Sequence, residues 1–369
     1  MTRILYTIPN FNTAGSGKVL LDLAANLDQS LFTAEICCFH GKGKFFKVVE
    51  ESGIPVHLFP FTTPLNPKFS FIFRVLRIAN WFRKNKFDLI HSWHWSSDWS
   101  EPLAAKLAGI PWVYTKKAMS WGNRHWKIRS RLASHVITIN DEMQSSFFPD
   151  SKKLSLIPIG LDTDHYSPEQ SCHKEVSLSP NIQITAEDTV LISVANFVPV
   201  KGIETLIEAL EYINIPNLKL ILVGSCSDDY GNKLKKLVAH KNLQQQVAFI
   251  GKVLDPRPWL GIADLFIIPT KDEGRKEGMP MAPVEAMSCG LPVIGSRISG
   301  IKYVLSAFPE HLFEASNPIS LSQRIEYFLA QPIAKRQVLG QKARQFVTEN
   351  FTIEQFIQAH QSLYNRLLM

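Results

Sequence analysis

Glu277-Gly-Met-Pro-Met-Ala-Pro-Val-Glu285, followed by Ala286-Met-Ser-Cys-Gly-Leu-Pro-Val-Ile294, carries the strongest structural signal in this chain. Two carboxylates stand eight positions apart, the first in a loop rich in glycine and proline. Pro283 favours the start of a short helix with Glu285 in its opening turn, and Gly290 ends that helix. The apolar run after Gly290 is typical of a buried strand. The segment therefore predicts a loop, a short helix and a strand in succession.

This arrangement of acids suits the binding of a nucleotide. A helix N-terminus offers unpaired backbone N–H groups and partial positive charge, and it therefore favours anions such as phosphate. A carboxylate such as Glu285 can accept hydrogen bonds from two vicinal hydroxyls, as a ribose presents. Both features predict a site for a nucleotide diphosphate that carries a sugar. The alternative is that Glu285 is only a favourable acidic residue in a first turn, and the spacing alone leaves both interpretations open.

Strand and helix patterns alternate along the chain, which is typical of parallel sheets covered on both faces. The N-terminal series predicts helices at 18–27, 71–84 and 98–108, between strands at 4–8, 34–39, 55–59, 89–92, 112–115, 136–140 and 154–158. A polar stretch rich in serine and proline follows. The second series predicts strands at 190–195, 218–223, 247–250, 265–268 and 292–296, and a closing helix at 353–368.

The predicted fold class is therefore α/β with two Rossmann-like domains. We expect an N-terminal domain at 1–165, a linker at 166–185 and a second domain at 186–350, which contains the predicted nucleotide-sugar site. The last segment, 351–369, forms the closing helix. In open α/β sheets ligands bind at the carboxyl ends of the strands, so the functional residues are expected in the loops that follow them.

The two acids and their context resemble the E-x7-E signature of the retaining glycosyltransferases of family four, which have the GT-B fold. The likeness covers consecutive positions from Glu277 to Ile294, and it extends from the first strand to the C-terminal helix. It implies two Rossmann-like domains that face a central cleft, with the last helix crossing back to the first domain. It also implies that Glu285 holds the ribose and that Glu277 contacts the donor sugar or its phosphate. The same resemblance assigns donor binding to Gly278, Met279 and Pro280.

A glycine-rich turn, Asn12-Thr-Ala-Gly15-Ser16-Gly17-Lys18, follows the first strand. Glycines at a helix start let backbone N–H groups approach a phosphate closely. A P-loop would need glycine at Asn12 and serine or threonine at Val19, and the sequence meets neither requirement. The turn resembles the family loop beside the donor's diphosphate and sugar, which assigns Gly15, Ser16 and Gly17 to donor binding. A plain turn at a helix start is the alternative.

The segment from Ala195 to Gly202 resembles the phosphate-binding strand end of the family, and Lys201 is the matching lysine. An ammonium group there would stabilise the leaving diphosphate. Relatives usually carry an arginine a few residues earlier, where this chain has Asn196 or Val198. This departure weakens diphosphate binding or transfers the task to another cation. Asn196 remains assigned to the donor site.

Further candidates come from the N-terminal half, which the resemblance makes the acceptor-side domain. Relatives carry a histidine near the reacting sugar, after the strand that matches 112–115. Lys117 occupies that position here and is a catalytic candidate that could contact the donor or an acceptor anion. The acceptor-side candidates are His91, His94 and Trp121. His91 and His94 follow another strand, with a structural histidine as the alternative. Six of the eight tryptophans, including Trp121, lie between 93 and 126. Flat aromatic rings suit the binding of a sugar ring or a lipid headgroup, and ordinary packing beneath a loop is the alternative.

Composition and charge limit the function classes. The formal net charge is +7, and the whole excess lies in residues 1–165, which hold 20 of the 40 basic and 13 of the 33 acidic residues. Part of the excess lies beside aromatic residues on one predicted helix, and the basic and aromatic residues are Arg74, Arg77, Arg83, Lys84, Lys86, Phe71, Phe73, Trp81 and Phe82. This pattern predicts contact with an anionic membrane surface, or an ordinary amphipathic helix with a solvated basic face. No nucleic-acid motif is present, so nucleic acid is not an expected partner.

No apolar run reaches the length of a membrane span, and residues 1–15 read as a first strand rather than a signal peptide. The five cysteines have no CxxC or metal spacing and are expected to be reduced thiols. Asp228-Asp229 lies in a polar loop and makes no convincing metal motif. We therefore expect a cytoplasmic protein with neither metal nor cofactor. If its basic helix contacts a membrane, a peripheral position at the inner face is expected.

The predicted activity is the transfer of a sugar from a UDP- or GDP-sugar to a hydroxyl of a glycan or lipid-linked acceptor, with the anomeric configuration retained. The usual family context is cell-surface polysaccharide or glycolipid biosynthesis. Glu273 is a decoy, because the residue eight positions later is Met281. The alternatives are a sugar-nucleotide epimerase or phosphorylase of the same architecture, and a non-catalytic relative that binds a nucleotide sugar or glycan. A nicotinamide oxidoreductase is disfavoured, since no GxGxxG is followed by the required acid.

Overall fold

A computed structural model of the protein describes residues 1–12, 15–168, 176–179, 182–274 and 277–369. The chain divides into two compact units. The first unit comprises Met1–Gly160 with Ile353–Met369, and the second comprises Leu161–Thr352. Each unit is built on its own parallel β-sheet.

The first unit contains a seven-stranded sheet in which every neighbouring pair of strands is parallel. Its strands are β1 (Thr2–Thr7), β2 (Phe32–Cys38), β3 (Val56–Leu58), β4 (Leu89–Ser92), β5 (Trp112–Lys116), β6 (His135–Thr138) and β7 (Leu154–Leu156). They lie in the order β3-β2-β1-β4-β5-β6-β7, so the order reverses between β1 and β4. The connecting helices are α1 (Gly15–Ala25), α2 (Phe46–Glu51), α3 (Lys68–Lys84), α4 (Ser100–Ala108), α5 (His125–Leu132) and α6 (Asp141–Phe147).

The second unit begins with an antiparallel hairpin of β8 (Val176–Ser179) and β9 (Ile182–Ile184). Its main sheet has six parallel strands: β10 (Thr189–Val194), β11 (Leu218–Val223), β12 (Val247–Gly251), β13 (Leu265–Ile268), β14 (Val293–Ser296) and β15 (Leu312–Phe313). Their order is β12-β11-β10-β13-β14-β15. The helices are α7 (Ile203–Ala209), α8 (Asp229–His240), α9 (Arg257–Gly261), α10 (Met281–Ser288), α11 (Ser299–Val304), α12 (Pro318–Leu329) and α13 (Ile333–Asn350).

Alternate residues of the first sheet belong to different hydrophobic cores. Ile4 and Tyr6 pack with Leu20 in one cluster, whereas Leu5 packs with Val75 in the other. A parallel sheet with helices on both faces buries both sides of each strand, which explains the continuous apolar runs in the sequence. The two sheets confirm the predicted class of two Rossmann-like domains.

The last helix, α14 (Ile353–Leu368), returns to the first unit as the resemblance implied. Phe356 and Tyr364 pack into the same cluster as Tyr6. The Tyr364 hydroxyl lies 2.7 Å from Nδ1 of His91 and 3.1 Å from the hydroxyl of Tyr6. Because all three groups are buried, these hydrogen bonds satisfy polar atoms that would otherwise be costly.

Three local predictions need correction. The stretch predicted as a linker contains the hairpin, because Ile182 and Ile184 are buried, although residues 169–175 and 180–181 lie outside the described residues. The short edge strand β15 was missed, since two residues give no periodic signal. Helix α10 begins at Met281, so Glu285 lies in its second turn rather than its first. Pro283 is tolerated as the third helical residue because an N–H there would have no partner within the helix.

Of the helices within the described ranges, none is both long enough and apolar enough to cross a membrane. The described cysteines, Cys37, Cys38, Cys226 and Cys289, form no disulfide. Cys172 lies outside the described residues.

Candidate active site

Several predicted donor residues follow the carboxyl ends of strands in the second sheet: Asn196 and Lys201 follow β10, and the segment from Glu277 to Glu285 follows β13. Gly15, Ser16 and Gly17 belong to the first unit. Strands β10 and β13 are neighbours in the second sheet, so the loops that follow them run side by side. The Lys271 N–H donates to the Val200 carbonyl at 2.8 Å, which joins the two loops. This edge is where parallel sheets place their ligands.

Lys201 is positioned by a tight turn after β10. It ends the 3₁₀ turn Pro199–Lys201, and the next residue, Gly202, has a φ of 64°. A Cβ at Gly202 would lie 2.2 Å from the Pro269 carbonyl oxygen, so only glycine allows this close approach to the end of β13. The turn presents the Lys201 ammonium group to Glu277, with which it forms an ion pair.

Glu277 binds through one oxygen and leaves the other unused. Its Oε1 accepts from Lys201, whereas Oε2 is buried with no hydrogen-bond partner among the described residues. A buried oxygen without a partner costs free energy, and a hydroxyl of a ligand would relieve that cost. The backbone here lies against α11, where a Cβ on Gly300 would come within 2.6 Å of the Glu277 carbonyl oxygen.

Two further hydroxyls near this point have no partner. The Oγ1 of Thr270 and the Oγ of Ser299 are buried without hydrogen bonds to any described residue. Thr270 follows β13, and Ser299 is the first residue of α11 and precedes Gly300. The carboxyl edge of the second sheet therefore concentrates unsatisfied oxygen atoms of Thr270, Glu277 and Ser299.

Glu285 is half-buried on α10, beside Tyr166. Burial raises the pKa of the Tyr166 phenol, and the negative charge of Glu285 raises it further. Pro280 precedes the helix in an extended conformation, and Met279 is buried before it. The loop from Gly278 to Pro280 thus leads directly from Glu277 to the N-terminus of α10, where backbone N–H groups are available to an anion.

Sequence reasoning missed the surroundings of Glu285. Asp255 and Arg257 form an ion pair at 2.6 Å, and the guanidinium of Arg257 also donates to the His165 carbonyl at 3.1 Å. The charges of Asp255 and Arg257 both act on Tyr166. Residues from the start of the second unit and from α9 therefore meet near Glu285, and sequence distance hid this proximity.

The glycine loop can be described only in part, since residues 13 and 14 lie outside the described residues. Helix α1 begins at Gly15, where an added Cβ would meet no atom within 4 Å. Gly17 is buried, and a Cβ there would lie 2.8 Å from the ring of Phe11. The close packing of Phe11 therefore explains why residue 17 is glycine, whereas no such packing restricts residue 15. Ser16, between them, is half-buried.

Lys117 lies at the end of β5 with its ammonium group 2.6 Å from the Trp93 carbonyl oxygen. It stands 5.2 Å from the Trp93 ring centre and 5.4 Å from that of Trp95. These contacts hold a positive charge beside the loop that follows β4. The aromatic loop is therefore one partner of this charge.

The two predicted histidines, His91 in β4 and His94 in the loop that follows it, are interior residues. His91 is fully buried and uses both ring nitrogens, Nδ1 with Tyr364 and Nε2 with Thr115 at 2.9 Å. This arrangement gives His91 a structural role and does not support its acceptor-side assignment. Burial lowers the pKa of His94 to about 2, and the positive charges of Arg129 and Lys117 add to the effect. His94 is therefore neutral at physiological pH.

The tryptophans divide between packing and partly accessible positions. Trp93 and Trp112 are fully buried. Trp121 is half-buried, and the ammonium group of Lys116 stands 5.0 Å from its ring centre. Trp95 is 37% exposed, so it is one of the rings that a ligand could reach.

A buried ion pair supports the loop after β4, and no sequence pattern indicated it. Glu101 and Arg129 are fully buried and lie 3.2 Å apart. Ser92 donates to Glu101 at 2.9 Å and accepts from Arg129 at 2.8 Å, while Arg129 also donates to the Asp98 carbonyl at 2.5 Å. This network fixes both ends of the segment that carries His94 and Trp95.

The same segment borders a cavity of about 280 Å³ in the first unit. Its lining includes Leu65, Phe71, Asp98, Trp99 and His125. These residues come from loops and helix starts that follow β3, β4 and β5, at the carboxyl edge of the sheet, where open α/β sheets bind ligands. The mixture of aromatic, acidic and imidazole groups suits a polar ligand with a flat or apolar face.

Within the described ranges, no group of three histidine, cysteine, aspartate or glutamate side chains is arranged to hold a metal ion. Asp228 caps α8 by accepting the Gly231 N–H at 2.7 Å.

Comparison with known proteins places the chain in a family. The model described as Glycosyltransferase Family 4 matches residues 13–165, and the one described as Glycosyl transferases group 1 matches residues 177–346. The chain belongs to the group 1 glycosyltransferases. The two matches cover both Rossmann-like units of this group 1 glycosyltransferase.

Its curated relatives are distant. The N-acetyl-alpha-D-glucosaminyl L-malate synthase of Bacillus anthracis is 26% identical over 187 residues, which cover 50% of this chain and 47% of that protein. The capsular polysaccharide biosynthesis glycosyltransferase CapH of Staphylococcus aureus is 22% identical, and the match covers 85% of this chain and 86% of CapH. The UDP-Gal:alpha-D-GlcNAc-diphosphoundecaprenol alpha-1,3-galactosyltransferase of Escherichia coli is 26% identical. That match covers 59% of this chain and 60% of the galactosyltransferase. Apart from CapH, the chain spans about half the length of these relatives or slightly more.

Solved structures resemble the group 1 glycosyltransferase over its whole length. A glycosyltransferase from Rickettsia africae has a TM-score of 0.85 at 18% identity, and the match covers 100% of this chain and 98% of that one. Alr3699/HepE of Anabaena in complex with UDP has a TM-score of 0.83 at 21% identity, and the match covers 99% of this chain and 100% of that one. At these identities the likeness shows the fold alone.

Proposed function

We propose that this protein transfers a glycosyl group from a nucleotide diphosphate sugar, a UDP- or GDP-sugar, to an acceptor hydroxyl with retention of the anomeric configuration. The observation that carries the proposal is the state of Glu277. One of its carboxylate oxygens is paired with Lys201, and the other is buried without a partner among the described residues. The pair stands beside the N-terminus of α10, which carries Glu285.

Each group has a distinct role in this proposal. Glu285 accepts hydrogen bonds from the ribose hydroxyls, and the unpaired oxygen of Glu277 accepts one from the donor sugar. Lys201 and the N-terminus of α10 stabilise the negative charge that develops on the leaving diphosphate. Gly278, Met279, Pro280 and Asn196 line the donor on the same edge of the sheet.

For the transfer step, the acceptor oxygen attacks the anomeric carbon from the face that the diphosphate leaves, which retains the configuration. The bond from the anomeric carbon to the phosphate oxygen breaks as the new glycosidic bond forms. The proton of the acceptor hydroxyl passes to the leaving phosphate oxygen. Since Lys201 and α10 supply positive charge, the proposal includes transfer without a metal ion, and unchanged turnover in excess EDTA is the expected result.

The acceptor is proposed to be a glycan or a lipid-linked intermediate of cell-surface polysaccharide or glycolipid biosynthesis. The name of the Escherichia coli relative, with its diphosphoundecaprenol acceptor, and that of CapH support this class. The cavity beside Asp98 and Trp99 is the proposed acceptor region in the first unit. Gly15, Ser16 and Lys117 remain predicted contributors from the resemblance. His94 and Trp121 remain predicted from their position and residue type.

A panel of UDP-, GDP-, ADP- and TDP-sugars tests the proposal, with isothermal titration for binding and nucleotide release for turnover. We expect one nucleotide class to bind and to be released, and Glu285→Ala to abolish both. Glu273→Gln is the matched control, because it changes the decoy acid, whose side chain is 62% exposed. No binding to any donor would refute the proposal. Conversion of the donor into another nucleotide sugar without nucleotide release would indicate an epimerase instead. Turnover only with inorganic phosphate would indicate a phosphorylase.

A further inference from the structure

Helix α3 presents an apolar stripe to solvent on the face opposite its core contacts. Phe69 is 82% exposed and Phe73 is 70% exposed, while Ile72 and Leu76 are 45% and 43% exposed. Their spacing of three, four and seven residues places them on one face of a helix. The buried face is separate and consists of Val75, Ile78, Ala79 and Phe82.

This stripe differs from the cluster predicted from the sequence. Phe82 is buried, Trp81 stacks on Phe59 at 4.2 Å, and Phe71 packs edge-on against Trp99 at 5.0 Å. Of the four aromatics in that cluster, Phe71, Phe73, Trp81 and Phe82, only Phe73 is exposed. Helical periodicity turns the other three toward the sheet and toward α4.

The charge around the stripe has one sign. Exposed Lys68, Arg77 and Lys84 lie on the same helix, which contains no acidic residue. No aspartate or glutamate occurs between Glu51 and Asp88 in the sequence. Arg74 is not part of this charged rim, because its guanidinium is bonded to Thr63 at 2.7 Å and to the Pro64 carbonyl at 2.6 Å.

We propose that the stripe Phe69, Ile72, Phe73 and Leu76, with its basic rim, docks α3 onto the surface of a bilayer that contains anionic lipids. Aromatic and aliphatic side chains enter the boundary between headgroups and acyl chains, and the cations contact lipid phosphates. Both halves of this pattern are needed, because apolar burial provides the anchor and the cations select anionic lipid.

A second copy of the chain is a poorer occupant of this face. A two-fold interface would bring Lys68, Arg77 and Lys84 of one helix against the same cations of the other. Since α3 offers no acidic partner, that contact would be repulsive. An anionic membrane would instead attract these cations. Membrane docking of α3 does not depend on the proposed enzymatic reaction.

Vesicle co-sedimentation of the full chain tests the proposal. The probes are phosphatidylcholine vesicles with and without phosphatidylglycerol at one quarter of the lipid. We expect binding to the anionic vesicles only, and at least about a tenfold loss of affinity in the double variant Phe69→Ser with Phe73→Ser. Lys84→Gln should weaken binding about fivefold, and higher salt should weaken it further.

Matched controls come from the second unit. Leu254 is 104% exposed and Ile333 is 66% exposed, so Leu254→Ser with Ile333→Ser removes comparable apolar surface elsewhere. Lys236→Gln on α8 is the control for charge. The proposal is overturned if the wild type does not bind anionic vesicles, or if the controls lose as much affinity as the α3 variants. It is also overturned if the α3 double variant changes only a monomer–dimer equilibrium, measured by light scattering, while vesicle binding is unchanged.

Discussion

The ammonium group of Lys201 is paired with Oε1 of Glu277, although 76 positions separate the two residues in sequence. The tight turn at Gly202 and the contact of the Glu277 backbone with Gly300 bring them together. The ion pair fixes the position of both side chains. The second carboxylate oxygen of Glu277 has no hydrogen-bond partner among the described residues. The donor is therefore expected to meet a site whose charges are already positioned.

Glu277→Gln tests the role of the carboxylate. The amide keeps the shape of the side chain, but it replaces one acceptor oxygen with an NH₂ donor. It also has no negative charge with which to pair with Lys201. We expect kcat for the accepted donor to fall by about a hundredfold or more, with a smaller change in KM. Steady-state kinetics measure both. Equal losses in Glu273→Gln would contradict the assignment, because that side chain lies outside the pair.

Lys201→Met tests the proposed stabilisation of the leaving diphosphate. Removing the ammonium group should lower kcat by about a hundredfold, since its charge is needed most in the transition state. Lys271→Met is the comparison, because Lys271 lies in the adjacent loop and pairs with Glu204 at 2.6 Å. A larger loss from Lys271→Met than from Lys201→Met would mean that Lys271 carries the task of the missing arginine.

Glu101→Gln tests the buried network beneath the loop after β4. It leaves the charge of Arg129 buried without its counter-ion, and we expect the free energy of unfolding to fall by about 3–5 kcal/mol. Urea denaturation measures this change. The control is Glu51→Gln, since the Lys47–Glu51 pair is 82% and 65% exposed, and we expect a change below about 0.5 kcal/mol there. Similar effects of both variants would contradict the structural role of the network.

His94 should make the protein sensitive to acid. Burial lowers its pKa from 6.5 to about 2 in the folded protein, so below pH 6.5 the unfolded chain binds a proton that the folded chain does not. The free energy of unfolding then falls with falling pH, by up to about 1.4 kcal/mol per pH unit from this residue.

Urea denaturation at pH 6.5 and at about pH 4.5 measures this dependence. His94→Gln should reduce the difference in unfolding free energy between the two pH values. His240→Gln, a change at an exposed residue, should leave that difference as in the wild type. An unchanged difference in His94→Gln would show that other groups cause the acid sensitivity.

The sequence predicted the strands of both sheets well because each is a continuous apolar run. The bounds of β4, β11, β13 and α14 agree with their predicted ranges to the residue. The short elements were harder: β15 has two residues and the hairpin β8–β9 lies in a polar stretch. Their pairing depends on neighbours that local periodicity does not report.

Residue types and spacing singled out Lys201, Glu277 and Glu285, and the tertiary structure brought the first two into contact. Spacing could not show that His91 is sealed between Tyr364 and Thr115, since one partner is 273 positions away. Nor could it show that Glu101 and Arg129 form a buried pair, because either residue alone reads as a solvated charge on a helix.

The alternation of strands and helices, the family resemblance and the two acids could be read from local chemistry and residue order. Which side chains face outward, and which polar groups share a partner, follows from the packing of distant segments in the fold. Helix α3 illustrates the difference: composition marked it as basic and aromatic, but the rotation of the helix on the sheet exposed Phe69 and Phe73 and buried Phe82. That rotation is set by packing against residues distant in the chain, which no local pattern contains.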